Sequence, residues 1–312
     1  MDLRQLRYFV AVARERNFTR AAERLNIAQP PLSRQIQLLE EELGVTLILR
    51  TSRPIRLTDA GRLFHEQALQ VLGRVDQMKD ATRRVGMNRN RVLSIGFVAS
   101  TLYGGLPVLV RKLRQSAPEL DIQLIELLSI QQIPALKEGR IDVGFGRLRH
   151  SDPNTVSTVL RQERLVAAVP LDTPLAREEG PLPLSAIAGH KLIVYPKEPR
   201  PSYADQVLAL LEDSDVRPAE VMDVREIQTA LGLVAADSGL CIIPSSARQM
   251  RSDVRYRVID DPRAISPVIM NHRAGDASRY IDLIRRLIAD MYAENPPWLH
   301  ANNIVPDQQA DG

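Results

Sequence analysis

The amino-acid sequence predicts an all-α N-terminal region followed by an α/β body. Up to residue 90 the apolar residues recur at helical spacing, and Gly44 and the pair Arg53-Pro54 are the main interruptions. From Leu93 onward, short β-rich runs alternate with amphipathic helical segments, which is typical of α/β proteins with largely parallel sheets. The polar segment 87–91 separates the two patterns, and we place the boundary between domains there.

Composition limits the class of protein. The 312 residues suit two or three domains, and 44% hydrophobic with 25% charged residues is usual for a soluble globular protein. The single cysteine, Cys241, excludes a disulfide framework and fits a reducing cytoplasm. No apolar run reaches the roughly 20 residues that span a bilayer, and charges at 14–16 interrupt the stretch that a signal peptide would need. We therefore expect a cytoplasmic protein without a membrane segment.

Positive charge is concentrated in the N-terminal region. Residues 1–90 carry 16 Lys and Arg against 10 Asp and Glu, whereas residues 91–312 carry 25 against 28. Only Lys79 among the 16 is a lysine, and arginine can bind a phosphate or a guanine through two hydrogen bonds. The charge alone fits either a nucleic-acid surface or an ordinary solvated helical surface.

Three helices are predicted before Gly44. The first covers about Leu3–Arg14, and the second follows Asn17, a favourable N-cap. A tight turn leads into a third helix that begins with Pro30-Pro31, since proline is tolerated in a first turn, and stops at Gly44. Its predicted buried face consists of Leu32, Ile36, Leu39 and Leu43.

The start of the third helix carries polar residues off the apolar face. Two short helices, a tight turn and such residues together indicate a helix-turn-helix, whose second helix enters the major groove of double-stranded DNA. A helical bundle with exposed arginines is the alternative interpretation. The predicted DNA-contacting residues of this helix are Gln29, Pro30, Pro31, Ser33 and Arg34.

A small hairpin, or wing, is predicted directly after this helix. Residues 45–50 and 56–57 can pair, which leaves Thr51–Pro54 at the tip. Arg53 at this tip could enter the minor groove, whose negative potential attracts arginine.

A long helix is predicted from Thr58-Asp59 to about Val85. At 1.5 Å per residue it would be roughly 40 Å long, and its two seven-residue series resemble the seam of a coiled coil. Such a stripe must be buried, either on the chain's own body or on a second chain. The two series are Phe64, Val71, Met78 and Val85, and Gly61, Ala68, Val75 and Thr82.

Several β-rich runs of the α/β body end in residues that start helices. Ser100 follows the first run, and the pairs Ser129/Gln132 and Ser202/Asp205 have the spacing of a capping box. Ligands of α/β sheets bind beyond the carboxyl ends of strands, against helix N-termini that favour carboxylates. We predict that these serines both cap helices and donate their hydroxyls to an anion in a cleft; ordinary capping alone is the alternative for each. The runs are Leu93–Val98, Ile122–Leu127, Val143–Phe145, Leu165–Val169, Leu192–Tyr195, Cys241–Ile243 and Val268–Met270.

No set of residues indicates catalysis. Cys241 lies in the apolar segment LCIIP, and the segment around Ser100 lacks the spacing of a nucleophile elbow. We expect no enzyme activity, no metal and no organic cofactor. The histidines, which show no paired metal spacing, are His65, His150, His190, His272 and His300.

The N-terminal segment LRQLRYFVAVARERNFTRAAERLNIAQPPLSRQIQLLEEELGVTLILRTSRPIRLTDAGRLF resembles the DNA-binding domain of LysR-type transcriptional regulators. One departure is Ala28, where many relatives have serine. The resemblance implies a winged helix-turn-helix over 1–58, a linker and dimerisation helix over 59–90, and an effector-binding domain over 91–312. It also implies a homotetramer, built as a dimer of dimers, that binds promoter DNA and contacts RNA polymerase.

The second half resembles the effector domains of the same family, which look like periplasmic binding proteins with two α/β lobes. The resemblance implies one lobe over 92–162 and 268–293, a second lobe over 163–267, and a tail over 294–312. The segments GFVASTLYGGLP, ALKEGRIDVGFGRLRHSDP, YPKEPRPSYADQVLAL and EIQTALGLVA resemble regulators of catechol and benzoate degradation that sense cis,cis-muconate.

This closer resemblance implies an effector-binding site. In that group, hydroxyls at the positions of Ser100 and Ser129 contact a ligand carboxylate, and the segment Pro201, Ser202 and Tyr203 holds the other end. Ser129 replaces a threonine of the relatives, and Ser202 replaces an asparagine of some.

The resemblance also implies an ion pair and a second site. Arg147 would pair with Glu226 near the cleft, while Arg161 and Tyr292 match a hydrophobic benzoate site of some members. We therefore predict an activator of an aromatic-degradation operon that responds to cis,cis-muconate or a similar small carboxylate and represses its own gene. The alternatives are a family member with a different effector, or a solute-binding protein or enzyme with an accessory helical domain.

Overall fold

The computed structural model describes residues 1–50, 52, 54–86, 91–276, 278–294 and 303–304. The chain divides into two compact units, Met1–Arg91 with Lys137–Arg140 and Val92–Leu136 with Ile141–Gly312. The first unit is helical apart from one small hairpin, and the second is mixed α/β, which confirms the predicted fold class. Over the described residues, no helix is both long enough and apolar enough to cross a membrane.

Three short helices begin the first unit, and local signals set their ends. They are α1 (Leu3–Glu15), α2 (Phe18–Arg24) and α3 (Gln29–Leu43). The Asn17 side chain caps α2 by accepting two backbone N–H groups of its first turn, as predicted. Gly44 ends α3 with a φ of 68°, a left-handed conformation that favours glycine.

The core of this unit lies between the three helices. Phe9 of α1 is fully buried there, and the predicted apolar face of α3 is confirmed for Leu32, Ile36 and Leu39. Leu43 was predicted on the same face but is 38% exposed, because it lies in the last turn, beyond the core.

The predicted wing is present as β1 (Ile48–Leu49) and β2 (Arg56–Leu57), which pair antiparallel. The Glu40 carboxylate of α3 anchors it by accepting the backbone N–H groups of Leu47 at 2.7 Å and Ile48 at 3.0 Å. These hydrogen bonds satisfy backbone donors at the start of the short ladder, so the first strand of the wing is fixed to α3.

The long helix α4 (Asp59–Gly86) follows the wing. At its start, a Cβ on Gly61 would lie 2.0 Å from the Leu47 carbonyl oxygen. Gly61 is therefore needed because the helix approaches the wing closely there, and not because it belongs to a coiled-coil seam. Further along, Val71 and Met78 of one predicted series are 45% and 61% exposed, whereas Phe64 of the same series packs against the core of this unit.

The second unit is built on one ten-stranded sheet with the order β4-β3-β5-β11-β6-β9-β7-β8, and β10 and β12 also pair with β6. The prediction of largely parallel strands is confirmed only for the strands on either side of the middle of this sheet. β3 pairs with β5, and β7 pairs with both β8 and β9, in parallel. The strands are β3 (Arg91–Phe97), β4 (Leu120–Glu126), β5 (Val143–Gly146), β6 (Thr155–Pro170), β7 (Lys191–Val194), β8 (Glu220–Asp223), β9 (Leu240–Pro244), β10 (Val254–Val258), β11 (Ile265–Arg273) and β12 (Asn303–Ile304).

Two long antiparallel strands occupy the middle of the sheet. β6 pairs antiparallel with β9, β10 and β11, and its 16 residues exceed the predicted run Leu165–Val169. The first half of β6, TVSTVLRQ, mixes Thr, Ser, Arg and Gln with Val and Leu and carries no continuous apolar run of strand length, so the sequence pattern misses it. The short strands β8 and β10 were missed for the same reason.

Two hydrophobic cores flank this middle. One surrounds β3 and β5, and the other surrounds β7, β9 and the second half of β6. Each core is covered by helices, so the unit has two lobes that share β6 and β11. The helices are α5 (Leu106–Ser116), α6 (Ser129–Lys137), α7 (Pro174–Arg177), α8 (Tyr203–Glu212), α9 (Ile227–Ala235) and α10 (Arg279–Ala293).

The predicted capping boxes have different outcomes. Ser202 and Asp205 form the predicted box at the start of α8. The box at Ser129 and Gln132 is wrong, because the Gln131 side chain accepts the Leu128 N–H. The side chain of Gln132 is instead buried and donates to two backbone carbonyl groups.

Replacing Glu40 with alanine should loosen the wing. Two backbone N–H groups would lose their acceptor, so we expect hydrogen exchange of the Leu47 and Ile48 amides to quicken by roughly ten-fold or more. Exchange followed by NMR in the full chain measures this. Glu41→Ala, at an exposed position of the same helix, is the control. Unchanged exchange in Glu40→Ala would contradict the anchoring role.

Candidate functional site

The first candidate site is the exposed face of α3. Gln29, Pro30, Pro31 and Arg34 are exposed on its first two turns, and Ser33 is half-buried beside them. The two prolines have no N–H groups, and Ala28 caps the helix with no side-chain hydrogen bond. The structure therefore brings all five predicted residues of this helix together on one surface.

Arg50, at the end of β1, also belongs to this surface, although sequence reasoning missed it. Its guanidinium donates to the Ser33 hydroxyl at 3.2 Å and to the Glu40 carboxylate at 2.9 Å. The same group lies 5.4 Å from the centre of the Phe18 ring. An arginine that ends the predicted wing strand was the available signal, but its partners depend on packing. Arg53 lies outside the described residues, and its contact with DNA remains a prediction.

The second candidate site surrounds three buried charged side chains of the α/β unit, which we call the charge cluster: Arg147, Arg161 and Glu163. Their side chains are 3%, 3% and 0% exposed. Glu163 accepts from Arg147 at 2.8 Å and lies 3.5 Å from the Arg161 guanidinium. Its other oxygen accepts the Ser246 N–H at 2.5 Å.

The predicted ion pair between Arg147 and Glu226 is wrong. Arg147 pairs with Glu163 of β6, while Glu226 is an exposed residue at the start of α9. The physical reason is burial: Glu163 has no access to water and must be paired inside the protein, whereas Glu226 is solvated where it stands.

The hydroxyls of Ser100 and Ser129 both face Arg147. The Ser100 oxygen accepts from Nε of Arg147 at 2.7 Å, and the Ser129 oxygen accepts from its backbone N–H at 3.0 Å. Since both oxygens act as acceptors here, both hydroxyl hydrogens remain available. Nη1 of Arg147 is buried with no partner. Ser100 lies in a 3-10 turn that Val98 begins, so its predicted capping role is wrong.

The predicted segment Pro201, Ser202 and Tyr203 opens α8. Ser202 is buried, and its hydroxyl donates to the Pro196 carbonyl at 3.0 Å and accepts the Ala204 N–H. Tyr203 is buried as well, and its hydroxyl donates to the Ile242 carbonyl over 3.4 Å. Pro201 is exposed at the surface of the same turn.

Arg161 and Tyr292 line one cavity with mainly apolar neighbours such as Leu106 and Phe145. The space open to a water-sized sphere is about 20 Å³, room for about one water molecule. Burial raises the pKa of Tyr292, and Arg161, which forms a hydrogen bond with it, opposes that rise. The structure thus places both predicted residues together.

The charge cluster controls the ionisation of Glu163. Burial would raise the pKa of this carboxyl, but the guanidiniums of Arg147 and Arg161 outweigh it and hold the pKa at about 2. Glu163 therefore stays ionised at neutral pH although it has no exposed surface.

Comparison with known proteins identifies the family. The model of the bacterial regulatory helix-turn-helix protein, lysR family, matches residues 3–62, and the model of the LysR substrate binding domain matches residues 88–293. The chain belongs to the LysR family. Its DNA-binding domain and two-lobed effector domain are those of this family of regulators, as the sequence resemblance predicted.

Relatives and solved structures are similar over nearly the whole chain. The probable cat1 operon transcriptional activator of Acinetobacter lwoffii is 70% identical over 97% of this chain and 100% of its own length. Full-length CbnR in complex with its target DNA is 30% identical with a TM-score of 0.65, over 93% and 99% of the two chains. The BenM effector binding domain with its effector benzoate is 38% identical with a TM-score of 0.63, over 67% and 97%.

Glu163→Gln should change how stability depends on pH. The folded-state pKa of about 2 lies below the ordinary 4.5, so the ionised carboxylate stabilises the fold above about pH 4.5, and this is lost as pH falls toward 2. The difference corresponds to about 3 kcal/mol. We expect the free energy of unfolding of the variant at pH 7 to be lower by about this amount. Its free energy of unfolding should also fall much less between pH 4.5 and pH 2 than that of the unmodified chain.

Chemical denaturation of the effector domain at pH 7 and pH 3 measures this. Asp253→Asn, which removes an exposed ion pair with Arg251, is the control and should leave stability almost unchanged, because exposed ion pairs contribute little. Equal stability of Glu163→Gln and the unmodified chain at pH 7 would contradict the account of the charge cluster.

Proposed function

We propose that this LysR-family member activates an operon for the degradation of catechol or benzoate and responds to cis,cis-muconate or a similar small carboxylate. Support comes from a relative, 70% identical, that is described as a probable activator of a cat1 operon. The proposal includes a cytoplasmic location, contact with RNA polymerase, repression of its own gene, and no enzyme activity.

The proposed DNA contacts are those of the exposed face of α3. Gln29, Ser33 and Arg34 project from the N-terminal turns, where side chains of a recognition helix meet base edges. A CbnR structure of the same family is a complex with target DNA. Arg50 would hold the Ser33 oxygen as an acceptor and leave the hydroxyl hydrogen for DNA.

The effector class is inferred from a group of hydrogen-bond donors that have no acceptors in the protein. The hydroxyls of Ser100 and Ser129 accept from Arg147, so their hydrogens lack acceptors, and Nη1 of Arg147 is buried without a partner. A carboxylate supplies the acceptors that all three donors need.

Self-association is proposed through α4. Val71 and Met78 of one seven-residue series remain exposed, and a second copy of the helix would bury them. Such a dimer would set two recognition helices about one helical turn of DNA apart, and pairing of dimers would give the proposed tetramer.

Regulation then requires that the effector bind one arrangement of the protein better than another. A difference of a few kcal/mol in binding free energy is enough to shift the populations. The charge cluster is a suitable coupling element, because Glu163 bonds to Arg147 of one lobe and to Ser246 of the other.

A second effector site for benzoate at Arg161 and Tyr292 is favoured by one observation, the apolar cavity that both residues line. A BenM effector domain has been solved with its effector benzoate. The cavity must widen to take an aromatic ring, because it now has room for about one water molecule.

Arg34→Ala should weaken binding to promoter DNA by roughly 1–3 kcal/mol, because a base-contacting arginine is lost. A gel-shift titration with the promoter fragment measures this. The control is Arg251→Ala, which removes an exposed arginine of the effector domain. If Arg34→Ala binds promoter DNA with unchanged affinity, Arg34 does not contact the bases.

Ser100→Ala should weaken muconate binding by about ten-fold and abolish induction while leaving DNA affinity unchanged, because one donor to the carboxylate is removed. Calorimetric titration with muconate and benzoate, together with a reporter assay, measures this. Ser185→Ala, at an exposed site, is the control. If neither compound gives heat at millimolar concentration, the muconate class is wrong; if induction survives, Ser100 has no effector role.

A further inference from the structure

The far end of the proposed effector site lacks the donor that the sequence suggested. The Ser202 hydroxyl donates to the Pro196 carbonyl and accepts the Ala204 N–H, and the Ser202 N–H donates to Asp205. Ser202 therefore has no polar hydrogen left for a ligand. Its role at this end is to fix the turn before α8.

Tyr195 supplies a free hydroxyl next to this turn. It directly follows β7, at the carboxyl end of the strand, and the next residue is the Pro196 whose carbonyl binds Ser202. Its ring centre lies 5.2 Å from that of Tyr203. The residue is 8% exposed, and its hydroxyl is buried with no hydrogen-bond partner.

An unpartnered buried hydroxyl is unfavourable in the empty protein, because it has lost its hydration without gaining a partner. The contact with Tyr203 places it beside the segment Pro201–Tyr203, which is proposed to hold one end of the effector. Burial raises the pKa of Tyr195 well above its usual range, and the hydroxyl therefore remains a donor at neutral pH.

We propose that Tyr195 is a specificity-determining residue of the effector site, and that its hydroxyl donates a hydrogen bond to the second carboxylate of a dicarboxylate effector. The inference rests on the proposed function, in which Ser100, Ser129 and Arg147 hold the first carboxylate. Tyr195 then separates dicarboxylates from monocarboxylates whose other end is apolar, because such a ligand has no oxygen to accept the hydrogen bond from the Tyr195 hydroxyl.

The test is Tyr195→Phe in the full-length chain, titrated with cis,cis-muconate and with cis,cis-hexa-2,4-dienoate, a monoacid in which a methyl group replaces the second carboxylate. Removal of the hydroxyl should weaken binding of the diacid by about ten-fold, the effect of losing a hydrogen bond to a charged group, and change binding of the monoacid by less than about two-fold. The melting temperature should stay equal or rise, because an unpartnered buried hydroxyl has been removed.

Tyr256→Phe is the matched control. Tyr256 lies on β10 of the same lobe, its hydroxyl is also buried, and it is outside the proposed site. This variant should bind both compounds as the unmodified chain does.

The outcomes separate this inference from the proposed function. If the unmodified chain binds the diacid and Tyr195→Phe binds it equally well, the inference fails and the proposed function stands. If the variant loses affinity for the diacid and the monoacid alike, or melts at a clearly lower temperature, Tyr195 has a structural role and the inference also fails. If the unmodified chain binds neither compound, the muconate class of the proposed function fails, and this inference fails with it.

Discussion

A carboxylate without any exposed surface is the constraint on which the effector domain depends. Glu163 can remain ionised there only because Arg147 and Arg161 lie beside it and the Ser246 backbone N–H donates a hydrogen bond to it. Removing the arginines would leave a buried charge uncompensated, which costs several kcal/mol. The lobe that carries Arg147 and the lobe that carries Ser246 are therefore held to one strand, β6, at this point.

The same principle organises the DNA-binding unit on a smaller scale. Glu40 accepts two backbone N–H groups at the start of the wing and pairs with Arg50, so one carboxylate links α3, the wing and the Ser33 side chain. In both units a carboxylate fixes the framework, and donors that lack partners lie around it. Donors held in this way need not reorganise when an anion or DNA supplies the acceptor.

Three serines illustrate how much of a site can be read from the sequence. Ser100, Ser129 and Ser202 have the same signature, a serine after a strand and before a helix, and the sequence assigns them the same double role. In the structure only Ser202 caps its helix, and its hydroxyl is fully used. The other two accept from Arg147 and keep their hydrogens free. Residue type indicates what a side chain can donate, but only packing decides whether the donation has already been made.

The sequence by itself determined the helix-turn-helix, the wing, the long helix and most strands of the α/β body. The signals for these, such as Asn17, the prolines of α3 and Gly44, act on backbone within a few residues, so no distant partner is needed to read them. Tertiary structure decided the antiparallel middle of the sheet, the pairing of Arg147 with Glu163, and the unpartnered hydroxyl of Tyr195. The ion pair joins residues 16 positions apart, the middle of the sheet joins strands that are more distant still, and the free hydroxyl depends on burial. Several charges in the sequence could have satisfied Arg147 equally well. Only the folded chain selects one of them, because burial makes an unpaired charge too costly at Glu163 and leaves Glu226 solvated.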